Sequence, residues 1–294
     1  SDLDAELSDE TAQEVSPWLP GELVAVEPWL SSSEAPGSEG ICFDGAGRML
    51  VTLNRGDVIR VEADGSIETL ATIEPAAGEN VAGLAGVIWH PDWQVVVAQF
   101  TGGRLVQISE DGDVQVLVED MAGGPNAFVV DDEGRLLVSL SEATQVVRLT
   151  QGAQGSAPEI EVLAEGIPYA NGMAWSGDKQ TLYVNQTLPG SAIWKMALQG
   201  EPLYVPELLS DDALLASADG LIMTPDGALV VASFARGRLV VYDLKLSAPR
   251  VLSDEPTAVL MGVASLAFGS GTAFDARCLY TTNLMKGGVG KLCL

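Results

Sequence analysis

The sequence predicts an all-β protein, a six-bladed β-propeller whose ring is closed by an N-terminal strand joining the last blade. Three observations lead there. The apolar stretches are short, rich in Val, Leu and Ile, and bounded by frequent turn signals, as in "GRMLVTL", "WQVVVAQF", "GRLLVSL", "QTLYVNQ" and "GALVVASF". None sustains the 3.6-residue apolar period of a helix. The stretches also repeat: the endings Leu50-Val51-Thr52, Val96-Val97-Ala98, Leu137-Val138-Ser139, Tyr183-Val184-Asn185 and Val230-Val231-Ala232 each follow a short apolar strand and a polar turn, and "SLAFGSGTAFDARCLYTTN" is a sixth copy with a longer turn. Aligned on these endings, Glu39, Ala85, Asn126, Asn171, Asp219 and Ala264 become equivalent, with separations of 46, 41, 45, 48 and 45 residues. A repeat of about 40–50 residues holding some four short strands is the signature of a propeller blade. Two β-sandwich domains are the rival architecture, but they leave the six equivalent copies unexplained.

The blades follow in order. Only 30 residues remain after Ala264, too few for a whole blade, so the missing outer strand comes from the N-terminus, with "GELVAVEPWL" (21–30) as the candidate. Residues 1–17 read as an acidic flexible tail and 18–294 as the propeller domain. Gly47, Gly134 and Gly227 stand eight residues after the equivalent positions of their copies and mark the hairpin turns. The stretch "SADGLIMTPDGALVVASF" therefore contains two different Asp-Gly pairs. Asp226-Gly227 is the turn, and Asp219 begins the innermost strand and faces the central channel.

Four of the six equivalent residues, Glu39, Asn126, Asn171 and Asp219, carry side-chain oxygens, and the other two are alanines. Oxygens converging on an axis suit a hard divalent cation. Calcium takes carboxylate and amide oxygens with water, and two carboxylates neutralise its charge; Mg²⁺, Mn²⁺ or Zn²⁺ are the substitutes. Read singly, these residues are strand-start turns and surface polars. Read in one phase of a repeat, they are a site.

Composition excludes other classes. With 15 Lys+Arg against 41 Asp+Glu, the net charge is −26, which repels nucleic-acid phosphates and anionic membranes. The acidity serves solubility or attracts cations. No apolar run spans a bilayer and no signal segment opens the chain, which reads as soluble, cytoplasmic or exported after signal removal. The three cysteines, Cys42, Cys278 and Cys293, and the single histidine, His90 in the outer turn "WHPDW", cannot build a zinc-type site. A hairpin centred near Met285-Lys286 sets Cys278 opposite Cys293, as a cross-strand disulfide or as two buried thiols. "GGVGKL" lacks the first Gly and the Ser or Thr of a P-loop. "NQT" (185–187) has the form of a glycosylation sequon, and Trp89 and Trp93 read as packing between blades.

"SEGICFDGAGRMLVT", "GPNAFVVDDEGRLLVS", "YANGMAWSGDKQTLYVNQT" and "ADGLIMTPDGALVVAS" together resemble the SMP-30/gluconolactonase/LRE-like propellers, relatives of the diisopropyl-fluorophosphatases and paraoxonases. The resemblance covers the chain from about Gly21 to Leu294. It implies a divalent ion, commonly calcium, held by Glu39, Asn126, Asn171 and Asp219, and hydrolysis of a lactone or related ester. Asp219 is then the catalytic base, a nucleophile, or a ligand only. Two departures point away from a sugar lactone. Asn126-Ala127-Phe128 stands where such members read Asn-Asp-Gly, and Gly124 stands where some carry a substrate-gripping Arg.

If the first strand of a blade leaves the metal face, the second returns to it. The loops that follow, with those leading into each blade, form the mouth. From these the sequence nominates Phe100, Tyr169, Gln186, Phe234 and Met261 as substrate-binding. The partner expected is a small lactone or ester, with the protein a monomer or weak oligomer. Two other readings remain open: a non-catalytic binding propeller with a structural calcium, and a strictosidine-synthase-like biosynthetic enzyme.

Overall fold

Each repeat becomes a four-stranded antiparallel sheet, and in the computed structural model six such sheets surround one axis. The structure describes residues 16–294 apart from 20, 122, 153–155, 201 and 256–258. The innermost strands of blades one to six are Ser38–Phe43, Leu84–His90, Pro125–Val130, Ala170–Trp175, Ala218–Met223 and Val263–Phe268. Each touches the innermost strand of the next blade, and that of blade six touches blade one, so the ring is closed. The outer strand of blade six is the N-terminal segment Glu27–Leu30, antiparallel to Val289–Cys293. Of the expected tail, residues 1–15 lie outside the described residues. Trp18 is buried, its ring edge-on to Phe268 at 4.9 Å. Among the described residues no helix is long and apolar enough to cross a membrane.

The core is six cores, one in each gap between neighbouring blades. Strand side chains alternate faces, and here both faces are covered. In blade two, Val96 and Ala98 pack toward blade three, while Val95 and Val97 pack toward blade one. In blade five, Val230 and Ala232 face blade six, while Leu229 and Val231 face blade four. Double burial explains why the middle strands are continuous Val/Leu runs instead of alternating ones.

At the axis the backbones crowd. Every innermost strand breaks register at its axial residue, as between Ser38 and Ile41 in blade one and between Ala218 and Leu221 in blade five. Such a bulge re-aims a side chain and releases an N–H from the ladder. Polar residues near the end of the second strand take up the freed groups. Thr52 Oγ1 accepts from Gly40 N at 2.7 Å and donates to Ala85 O of the next blade at 2.6 Å. Thr282 likewise accepts from Ser265 N and donates to Glu39 O, and Asn185 Nδ2 donates to Asp219 O and Gly220 O at 3.0 and 3.1 Å. Asn185 is fully buried, which removes it as a glycan acceptor.

Cys278 and Cys293 face each other across the last hairpin and form a disulfide, so the pairing that the sequence left open is made. Cys42 is free. His90 Nδ1 accepts from Asp92 N, which leaves Nε2 to donate to Gly134 O at 2.7 Å, and the ring stacks on Trp93. It ties the turns of blades two and three.

The two glycines of "SADGLIMTPDG" serve different needs. Gly227 closes the turn, with φ +88° and its N–H on Thr224 O, and a Cβ there would meet nothing within 4 Å. Gly220 lies against blade six, where a Cβ would stand 2.4 Å from Ala264 O. Gly220→Ala is therefore expected to cost about 3 kcal/mol or more through backbone displacement, and Gly227→Ala about 1–2 kcal/mol through its left-handed φ. Urea denaturation of the two variants measures both, and equal losses would remove the distinction.

Candidate metal centre

Glu39, Asn126, Asn171 and Asp219 start four of the six innermost strands and line one cavity of about 380 Å³ at the axis. All four are 6–8% exposed. The ring brings together residues that are up to 180 positions apart in the chain, Glu39 and Asp219.

The two amides are aimed by hydroxyls. Ser141 Oγ donates to Ala170 O at 2.7 Å, so it can only accept from Asn126 Nδ2, 3.1 Å away. Thr187 Oγ1 repeats the device in blade four: it donates to Ala218 O at 2.6 Å and accepts from Asn171 Nδ2 at 3.0 Å. Each amide nitrogen is thus fixed outward and each Oδ1 is left for the axis.

The carboxylates are less settled. Glu39 Oε2 is buried with no hydrogen-bond partner. Burial, and then the charge of Asp219, push the Glu39 carboxyl well above the usual range. Burial drives Asp219 up to about 7, against the lowering hydrogen bond from Asn171. Two buried acids without a cation between them hold protons. An unpartnered carboxylate oxygen, a second carboxylate and two oriented amide oxygens fit a hard divalent ion. Among the described residues no group of three or more His, Cys, Asp or Glu side chains gathers at one point, so the amides are essential to the set.

Above these oxygens the walls are largely apolar. Phe100, Tyr169 and Phe234 line the cavity, as nominated, with Leu84, Leu188 and Leu284. Gln186 and Met261 do not line it. Gln186 precedes the cavity residue Thr187, and strand alternation turns its side chain to Pro189 O and Trp194 Nε1. Met261 precedes the equivalent position, Gly262, whose φ is +88°.

That position, two residues before the axial one, has one conformation all round the ring. Gly37, Gly83, Gly124 and Gly262 have φ of +61°, +62°, +67° and +88°, and Tyr169 and Ser217 share it at +44° and +56°. A side chain in this left-handed region is uncommon outside glycine, and such strain collects at functional sites. Both Tyr169 and Ser217 line the cavity. Burial, and then the charges of Glu142, Asp219 and Glu39, hold the Tyr169 phenol above its ordinary value. Sequence reading missed Ser217 and the orienting role of Ser141 and Thr187. The signal for the last two was a hydroxyl in the same place in two copies.

A six-bladed propeller with an oxygen-lined axial site under an apolar mouth defines the class of protein. The model of the SMP-30/Gluconolactonase/LRE-like region matches residues 79–275, and the chain belongs to that family. No curated protein sequence matches it. Among solved structures it is similar to a gluconolactonase of Xanthomonas campestris, at 22% identity and a TM-score of 0.67 over 87% of this chain and 86% of that one. It is also similar to a calcium-binding protein, regucalcin, of Agrobacterium tumefaciens, at 17% identity and 0.71 over 92% and 93%. A catalytically inactive His→Ala variant of virginiamycin B lyase from Staphylococcus aureus, solved with quinupristin, is similar at 13% identity and 0.64 over 87% and 80%. These likenesses show the fold.

The protonation of the buried pair makes a measurable prediction. In the metal-free protein both carboxyls keep protons at pH values where the unfolded chain, with carboxyls near pH 4, has released them. Stability from this source is full below about pH 4 and is lost as pH rises through the folded values, about 7 for Asp219. In chelator, the melting temperature of the wild type should therefore fall more steeply from pH 5 to pH 8 than that of Asp219→Asn. Added calcium should raise the wild type more at pH 8 than at pH 5. Parallel pH profiles for the two proteins would contradict this.

Proposed function

We propose that the protein is a divalent-metal-dependent hydrolase that opens a lactone or related cyclic ester. The observation that carries this reading is the unpartnered Glu39 carboxylate oxygen among three further axial oxygens, on the floor of a cavity with apolar walls. Family membership supports the reaction class, and the oxygen-only donor set favours calcium. When bound, such an ion polarises the carbonyl and stabilises charge on its oxygen.

The chain's own residues supply the rest. Asn126 and Asn171, locked by Ser141 and Thr187, present their oxygens without rearrangement. Asp219 has two carboxylate oxygens, one for the ion and one to take the proton of the attacking water. Water adds to the carbonyl carbon as Asp219 accepts its proton. The ring C–O bond then breaks and that proton passes to the departing ring oxygen, giving the open hydroxy acid. Phe100, Tyr169 and Phe234 line the cavity with apolar surface, and the lower local dielectric this gives strengthens electrostatic contacts at its floor.

A lyase reading is disfavoured by the imidazole. The related lyase is inactive in a His→Ala variant, whereas His90, the single histidine of this chain, is committed to the turns of blades two and three. A binding propeller with a structural calcium would keep the four ligands and turn nothing over.

The test is hydrolysis of a lactone panel followed by pH drop, with calcium, with chelator and with Asp219→Asn. Turnover should vanish with chelator and fall by roughly 10²–10⁴ in kcat in the variant, with far-ultraviolet circular dichroism unchanged. Turnover insensitive to both would overturn the proposal, and no turnover with a calcium-raised melting temperature would favour the binding protein.

A further inference from the structure

We infer that the substrate is an uncharged lactone with an apolar or aryl-fused ring, rather than a polyhydroxylated or carboxylate-bearing one. This rests on the hydrolase reading of the same site, and it is argued from how the walls are built. The left-handed position two residues before each axial residue projects a side chain toward the cavity. Blade four places Tyr169 there and blade five Ser217, whereas blade three has Gly124.

The space at Gly124 is not empty. A Cβ there would stand 2.7 and 2.9 Å from Cε2 and Cζ of the Phe100 ring. Gly124 therefore gives its slot to an aromatic ring from blade two, and any side chain at 124 would evict that ring. Phe100 and Tyr169 then form a continuous aromatic wall, with ring centroids 6.4 Å apart and planes tilted by 42°. Leu188 extends the apolar surface to the lip, where it is 54% exposed.

The polar inventory of the walls is small and uncharged. Among the described residues no Lys, Arg or His lines the cavity. Arg55 and Arg236 are exposed in the mouth loops and outside the lining. Thr187 spends its hydroxyl on Ala218 O and Asn171, and Asn54 Nδ2 reaches Leu84 O, which leaves the hydroxyls of Thr101, Tyr169 and Ser217 for a substrate. A sugar lactone would bury several hydroxyls with few partners, and each unpaired one costs roughly tenfold or more in affinity. A carboxylate would enter walls that offer it no cationic side chain, in a chain of net charge −26. The acid formed by ring opening likewise finds no cationic side chain in the walls to retain it. A cavity of about 380 Å³ is within the range that accepts a bicyclic ligand.

The experiment compares kcat/KM for dihydrocoumarin and glucono-δ-lactone on calcium-loaded wild type, Phe100→Ala, Gly124→Ala, Arg55→Ala and Arg236→Ala. It also titrates the non-hydrolysable lactam 3,4-dihydro-2-quinolinone by calorimetry. Wild type should prefer the aryl lactone by about 100-fold. Phe100→Ala should lose roughly 10- to 100-fold on that substrate, the loss falling on KM, Gly124→Ala should lose in the same direction, and the two rim variants should match wild type. A preference for the sugar lactone, or an aryl-lactone KM indifferent to Phe100→Ala, overturns the inference while the hydrolase reading stands. If neither lactone is turned over, the hydrolase reading fails and the lactam decides. Binding that is lost in Phe100→Ala supports the apolar pocket, and no binding overturns it.

Discussion

Six strands that converge on one line cannot all keep ordinary backbone spacing, and the rest of this molecule accommodates that crowding. Cβ atoms are excluded where blades meet, hence Gly40, Gly86, Gly172 and Gly220 directly after four axial residues. The ladders slip at the same level, and the released N–H groups are collected by hydroxyls from the second strands. Several of those second-strand side chains also grip the axial carbonyl of the next blade. The packing that closes the ring thereby fixes the direction of each axial side chain. Scaffold and site are held by one set of bonds.

The same geometry divides the cavity into two dielectric regimes. At the floor, four buried side chains concentrate their oxygens, and burial penalises the charged form of the two acids there. Toward the mouth, aromatic and aliphatic walls contribute no charge. The amides and the acids contribute differently to this floor. Asn126 and Asn171 are each held by a neighbouring hydroxyl, whereas Glu39 Oε2 is left without a hydrogen-bond partner. Order at the amides costs little because each hydroxyl that holds them is itself anchored on a carbonyl.

Much of this was readable in the sequence. The blade count, the N-terminal closing strand and the four axial oxygens followed from spacing, because a propeller repeats its constraints at a fixed period. Turn glycines such as Gly227 announced themselves. What escaped was of finer grain than the period. Gln186 and Thr187 are neighbours that point to opposite sides of a strand, and choosing between them needs the local phase, which the bulge at the axial level displaces. Met261 against Gly262 is the same one-residue ambiguity. The intrusion of Phe100 into the Gly124 slot joins two blades, and no single repeat contains the information. Hydroxyl clasps such as Thr187 were hidden for another reason: a threonine at a strand end has many ordinary uses, and only the carbonyl opposite it reveals this one.

The outer strand of the last blade comes from Glu27–Leu30, near the beginning of the chain, and its partner Val289–Cys293 lies at the very end. During biosynthesis that partner is made long after the strand it pairs with. Blades one to five can form their sheets while the chain is still being made, but the early strand has nowhere to pair until Val289–Cys293 has emerged. Glu39 and Asp219 sit on opposite sides of the same seam and face one another only in the closed ring. A truncated product therefore lacks more than a strand. It lacks the enclosure that gathers the axial oxygens of all the blades around one cavity.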